Sequence, residues 1–177
     1  MATNLQFIKS VEVRSSANPE ITDIFSDEYD VYKIYYTKID LGTGFVNAWA
    51  NLRVINATTG TPDATSNYDS AGQMLYAHST SGDNRYTNLT AITNAFAYMN
   101  TGPGNNGGEI TVYSPFDSGS YTFFGGQGSS AFYQIGSGSY NVASKSIGVH
   151  KVEQSNSGLQ ILISDITTMD IAVYGVK

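Results

Sequence analysis

From Phe45 to Asn56 the chain alternates strictly: Val46, Ala48, Ala50, Leu52 and Val54 fall on one side, and Asn47, Trp49, Asn51 and Arg53 on the other. Apolar residues at every second position line one face of a pleated strand, so this segment predicts a strand with one buried and one open face. The other apolar runs are short and rich in β-branched or aromatic residues: Leu5–Val13, Val31–Ile39, Ile110–Tyr113, Tyr121–Phe124, Phe132–Ile135, Ile147–Val152, Leu159–Ile163 and Ile171–Val176. Such side chains suit a pleated, half-buried surface. Turn-forming clusters separate them. Ala57–Asn67 holds Gly60 and Pro62, Thr101–Gly108 is TGPGNNGG, and Gly125–Ser130, Gly136–Ser139 and Ser155–Gly158 are Gly/Ser-rich. Glycine and asparagine supply the positive φ of tight turns, so these stretches predict loops. Short strands punctuated in this way predict an all-β, antiparallel β-sandwich. One stretch reads two ways. Leu89–Met99 fits a short helix with Leu89, Ile92, Phe96 and Met99 on one face, or a strand with Leu89, Ala91 and Thr93 on one side.

Length and charge narrow the function classes. At 177 residues the chain fits one domain. Residues 1–19 are expected as an N-terminal arm or first strand, and residues 20–177 as a single β-sandwich domain. Charged residues are 14% of the chain, against roughly 25% in a typical domain, so the surface must rely on Ser, Thr, Asn, Gly and Tyr hydroxyls. The net charge of −6, with nine scattered Lys and Arg, argues against nucleic acid, whose phosphates demand a basic face. The same balance argues against an anionic membrane, and no apolar run approaches the roughly 20 residues of a membrane span. Met1–Ser10 shows no charged stretch followed by an apolar one, as a secretory signal would. The absence of cysteine removes disulfides, thiolate zinc sites and thiol catalysis.

Few residues announce chemistry. His78 and His150 lie in separate strand regions without metal-site spacing, and are expected on the surface or on a sheet face. The cluster Asp27, Glu28, Asp30 in FSDEYD does not match the calcium loop of an EF-hand and is expected to be a solvated turn. No metal ligand set is assigned. The Gly-rich loops lack the lysine of a phosphate-binding loop, so no cofactor is expected. There is no G-x-S-x-G elbow, and no carboxylate pair stands out among the Asp and Glu, so no catalytic residue is named and the chain is expected not to be an enzyme. The best binding candidates are Trp49 and Arg53 with Asn47 and Asn51, on the open face of the alternating strand. An outward Trp among amide and guanidinium groups can stack a sugar ring or anchor a protein contact. In the competing expectation Trp49 packs under a loop and Arg53 pairs with a carboxylate.

Several stretches carry a resemblance: Tyr29-Asp30-Val31-Tyr32-Lys33-Ile34, Asn51-Leu52-Arg53-Val54-Ile55-Asn56, Ser66-Asn67-Tyr68-Asp69, Tyr113-Ser114-Pro115-Phe116, Ser146-Ile147-Gly148-Val149 and Tyr174-Gly175-Val176-Lys177. In this order they resemble small β-rich virion structural proteins of tailed phages of marine and other aquatic bacteria. The resemblance implies a jelly-roll-like sandwich and a non-enzymatic protein on the virion surface. It hands over no catalytic residues. Two roles follow as expectations: a capsid decoration or knob protein, or a tail-associated receptor-binding module for a host surface glycan. Expected partners are other virion proteins of the capsid or tail, and a host glycan. Unpaired sheet edges and the N-terminal arm predict a homo-oligomer, a trimer before other states.

Overall fold

The computed structural model describes residues 4–40, 50–77, 81–88, 90–92, 106–134, 138–163 and 166–177. Among them all regular structure is β: β1 (Leu5–Ser16), β2 (Glu20–Ile21), β3 (Val31–Asp40), β4 (Asn51–Asn56), β5 (Tyr68–Ala77), β6 (Ser81–Asn88), β7 (Gly107–Tyr113), β8 (Thr122–Gln134), β9 (Gly138–His150), β10 (Asn156–Leu162) and β11 (Ile166–Val176). An eight-stranded sheet runs β1-β11-β3-β7-β8-β9-β5-β6, and a three-stranded sheet runs β2-β10-β4. Every pairing is antiparallel. The architecture is the antiparallel, jelly-roll-like sandwich expected from the sequence. β1 lies along β11 of the same chain, from Leu5 opposite Val176 to Ser16 opposite Ile166.

The core lies between the two sheets. From the large sheet it takes Tyr32, Ile34, Tyr36, Ile110, Val112, Phe124, Ile171 and Val173, and from the small one Leu52, Val54, Leu159 and Ile161. The alternation of the fourth strand holds from Ala50 on: Ala50, Leu52 and Val54 are buried, Asn51 and Arg53 half-buried. Its earlier half, Phe45 to Trp49, lies outside the described residues.

Tyrosine behaves differently from the expectation that its hydroxyls build the surface. Tyr32, Tyr36 and Tyr68 are fully buried. A buried hydroxyl needs partners, and these have them. Tyr32 Oη donates to the Ser26 carbonyl at 2.9 Å and accepts from the Ser26 amide at 2.8 Å. Tyr68 Oη donates to the Asp63 carbonyl at 3.0 Å and accepts from the Val54 amide at 3.1 Å. The latter pins the loop after β4 across the small sheet.

Several segments expected as loops are strands. Gly125–Ser130 is the middle of β8, paired to β7 and β9. Gly107 and Gly108 open β7, Gly138 and Ser139 open β9, and Asn156 opens β10. β6 and the first half of β9 carried no strand expectation, and β5 none beyond the strand region placed around His78. The reason is packing. A Cβ on Gly108 would overlap the Tyr36 ring and the Gln127 carbonyl, so the strand needs glycine to seat a core tyrosine. On β5, β8 and β9 the inward positions include Ser70, Gly72, Gly126, Gly128, Ser144 and Ser146. Alternation is present there, but its buried half is small rather than oily. Residues 101–105 and 136–137 lie outside the described residues. So do Leu89 and residues 93–99, so the helix-or-strand question falls there. Ile92 of that stretch is fully buried and forms an antiparallel bridge with Leu52.

Candidate functional site

Of the four binding candidates, Asn47 and Trp49 lie outside the described residues. Asn51 and Arg53 sit on β4, an edge of the small sheet, where Arg53 pairs in register with Gln160. The Arg53 guanidinium is already engaged: Nε donates to the Thr90 carbonyl at 3.1 Å. The Leu52–Ile92 bridge, with N···O distances of 2.9 and 2.8 Å, carries that carbonyl alongside β4. Arg53 therefore helps hold residues 90–92, through a carbonyl rather than the carboxylate anticipated from sequence.

A larger open surface lies on the far side of the molecule, on the face of the eight-stranded sheet turned away from the small sheet. The register fixes its rows. One runs Ala172, Tyr35, Glu109, Gln127, Lys145, Gln73 across β11, β3, β7, β8, β9 and β5. The row beside it runs Asp170, Thr37, Gly107, Ser129, Ala143, Leu75 over the same strands. Between these two rows lies a cleft of about 540 Å³. It opens at Tyr35 and Thr37 into a depression over β1 and β11, and at Gln73 and Lys145 into one that reaches Thr87 of β6. Through Ala71 and Ile147 that one joins a fourth, beside Phe123 and Val149. Adjoining depressions thus form one furrow across the sheet. From β11 to β5 alone this spans five strand spacings, about 24 Å at ~4.8 Å each.

The furrow's chemistry is mixed. Large apolar side chains that are left exposed concentrate on this face: Phe7, Tyr35, Leu75, Tyr113, Phe123 and Ile147. Tyr174 stands edge-on to both Phe7 and Tyr35, with centroids 5.7 and 5.8 Å away, which makes an aromatic bank at one end. The middle is polar. Gln127 Nε2 donates to Glu109 Oε1 at 2.9 Å, and Lys33 Nζ lies 3.9 Å from Glu109 Oε2. An exposed apolar face with fixed polar groups is what a binding surface looks like. No sequence signal marked it. Its residues come from eight strands, and only the register sets them side by side.

His150 is not a surface histidine. It is fully buried, with Nε2 2.7 Å from Asp63 Oδ2 and the Tyr68 ring against it at 4.8 Å. Its Nδ1 meets no partner among the described residues. Burial alone would raise the Asp63 pKa, but hydrogen bonds from the Thr65 hydroxyl, His150, the Thr65 amide and Asn67 outweigh it and hold the carboxyl well below its usual range. Burial in turn pushes the Tyr68 phenol up. Together these groups fasten the loop between β4 and β5 to the end of β9. His78 lies outside the described residues. In FSDEYD, Glu28 accepts from Tyr29 Oη at 3.0 Å and from Lys177 Nζ at 3.1 Å, and these bonds lower its pKa. Among the described residues no group of three or more His, Cys, Asp or Glu could hold a metal ion. No described helix could cross a membrane.

No protein-family model matches the chain, and no curated protein matches it. Among solved structures it is similar to a substrate complex of a variant of family 7 alginate lyase A1-II′, at 12% identity, over 84% of this chain and 63% of that one, with a TM-score of 0.26. The chain therefore spans less than two thirds of that enzyme's length, and a superposition this loose carries no functional argument.

Proposed function

We propose that this chain is a non-enzymatic binding module of a phage virion surface, and that it grips an extended host glycan along the furrow of the eight-stranded sheet. The observation behind this reading is the furrow itself, which is long, open, and lined by aromatic rings at one end and by amides and charged groups in the middle. A sugar ring presents an apolar C–H face and a rim of hydroxyls, and such a surface answers both. The furrow's shape suits a polymer lying across the strands better than a compact ligand. Two features favour adhesion over catalysis. In the one histidine–carboxylate pair among the described residues, His150 with Asp63, the imidazole is fully buried and the carboxylate largely covered. The Glu109 carboxylate in the cleft is held by Gln127 and Lys33. A glycan array of host surface polysaccharides, probed with folded protein, tests the reading. Binding that is lost in Gln127→Ala and Tyr35→Ala is the expected result, and no binding to any glycan would sink it.

A second reading, the capsid decoration role, draws on the other end of the sheet. β1 is an edge strand, and along its outer side no strand follows among the described residues. A free edge of this length offers main-chain bonds to a neighbouring subunit. Antibody labelling of intact particles separates capsid from tail. Light scattering at micromolar concentration tests the oligomer, and a strict monomer would contradict it.

A further inference from the structure

The charges of the furrow say more about the glycan. The carboxylates that line it, among the described residues, are Glu12, Asp69, Glu109 and Asp170. Each one is held by a cation of the same sheet or of the segment next to it. Glu12 pairs with Arg14. Asp69 pairs with Lys151 at 2.9 Å, Glu109 with Lys33 at 3.9 Å, and Asp170 with Lys38 at 2.7 Å. Lys145 is the exception. It is exposed on β9, where it borders both the main cleft and the depression toward β6. Among the described residues it has no carboxylate partner and no side-chain hydrogen bond, whereas the Lys9 ammonium bonds the Thr22 carbonyl and Arg53 bonds that of Thr90. Its neighbours in register are Gln127 on β8 and Gln73 on β5, both amide-bearing.

Among the described residues, the furrow of a chain of net charge −6 therefore carries an uncompensated positive charge at Lys145, flanked by amides. A neutral polysaccharide has no use for that charge. An anionic one supplies its partner, and the bond between an ammonium and a carboxylate or sulfate oxygen is among the stronger polar contacts available. The surrounding negative charge does not forbid this, because it is screened beyond about 8–10 Å at physiological salt while a contact pair is not. Resting on the reading of the furrow as a glycan site, we infer that its ligand is an anionic polysaccharide, and that Lys145 receives the acidic group of the sugar residue lying over β8 and β9.

The test is titration calorimetry of the full chain with polygalacturonate, dextran sulfate and unmodified dextran. Polygalacturonate tests a carboxylate and dextran sulfate a sulfate ester. The inference expects at least one of the two to bind more tightly than dextran, with an affinity that falls as salt is added. Lys145→Gln should weaken that binding about tenfold, the size of a lost hydrogen bond to a charged group, while Lys145→Arg retains it. Lys9→Gln, which removes a cation elsewhere, should change nothing. The melting temperature of each variant shows whether it is folded. Dextran binding as tightly as the anionic polymers, or Lys145→Gln leaving their affinity unchanged, overturns the anionic assignment. If that binding is still lost in Gln127→Ala, the furrow stands as a neutral-glycan site. Failure of all three polymers and of the host glycan array overturns both readings.

Discussion

The two faces of the eight-stranded sheet are made by the same strands and have opposite fates. Along β3, Tyr32, Ile34 and Tyr36 face the small sheet and are buried, while Lys33, Tyr35 and Thr37 point the other way and stay accessible. Along β9, Ser144 and Ser146 face inward while Lys145 and Ile147 face out. The inner face is committed to the core, and the outer face is left accessible. In a pleated strand successive residues belong to different surfaces, so stability and binding can be altered one residue apart.

The largest effect should come from the inner face. Ile34→Ala removes a fully buried side chain from the centre of the core and should cost about 2–5 kcal/mol. Chemical denaturation reads the loss, and glycan affinity per folded molecule should not change. If affinity falls as well, the two faces are coupled and the comparison fails.

Next comes the buried node that fastens the loop after β4. Asp63→Asn removes the charged acceptor facing His150 and should cost about 1–3 kcal/mol. It should also change the acid limb of stability. Because the native carboxyl is held below its ordinary value of 3.8, its stabilisation is complete above that value. It is lost as pH falls below 3.8 toward the native pKa, because the unfolded chain takes up its proton first. Thermal melts across this acid range should fall less steeply in the variant, and equal slopes would remove Asp63 as the cause.

On the outer face, Tyr35→Ala should weaken glycan binding by about 1–2 kcal/mol, as loss of an aromatic contact does. Stability should change much less than in Ile34→Ala, one residue away. Equal destabilisation by the two would mean that the outer face is a covered one. The smallest effect is expected at Arg53→Ala, which gives up one bond to the Thr90 carbonyl. It should cost about 0.5–1.5 kcal/mol of stability and leave furrow binding untouched. A large loss of binding there would return the site to the small sheet.

The sequence was readable wherever the buried half of the alternation is oily. Leu52 and Val54, or Ile34 and Tyr36, mark their strands at sight. It was unreadable wherever the buried half is glycine or serine, because hydropathy cannot tell such a strand from a loop. β5, β8 and β9 are of this kind, and they form three of the eight strands that line the furrow. The candidate site suffered twice. Arg53, singled out for being polar beside an apolar face, is tied to a neighbouring segment. Lys145 looks like any solvated lysine until its neighbours are known.

By itself the sequence determined the class of the fold, through short alternating runs with turn residues between them, and a low content of charged residues with a net charge of −6. Only the tertiary structure decided which strands are neighbours, because antiparallel pairing joins segments as distant as Leu5 and Val176. It decided that Gly108 lies beneath Tyr36 rather than in a turn. It also decided which charges are spent on each other. Lys33 meets Glu109, and Lys38 meets Asp170, across strands far apart in the chain. Among the described residues Lys145 has no such partner, and that follows from register and not from composition, because an ion pair depends on which side chains the sheet sets side by side.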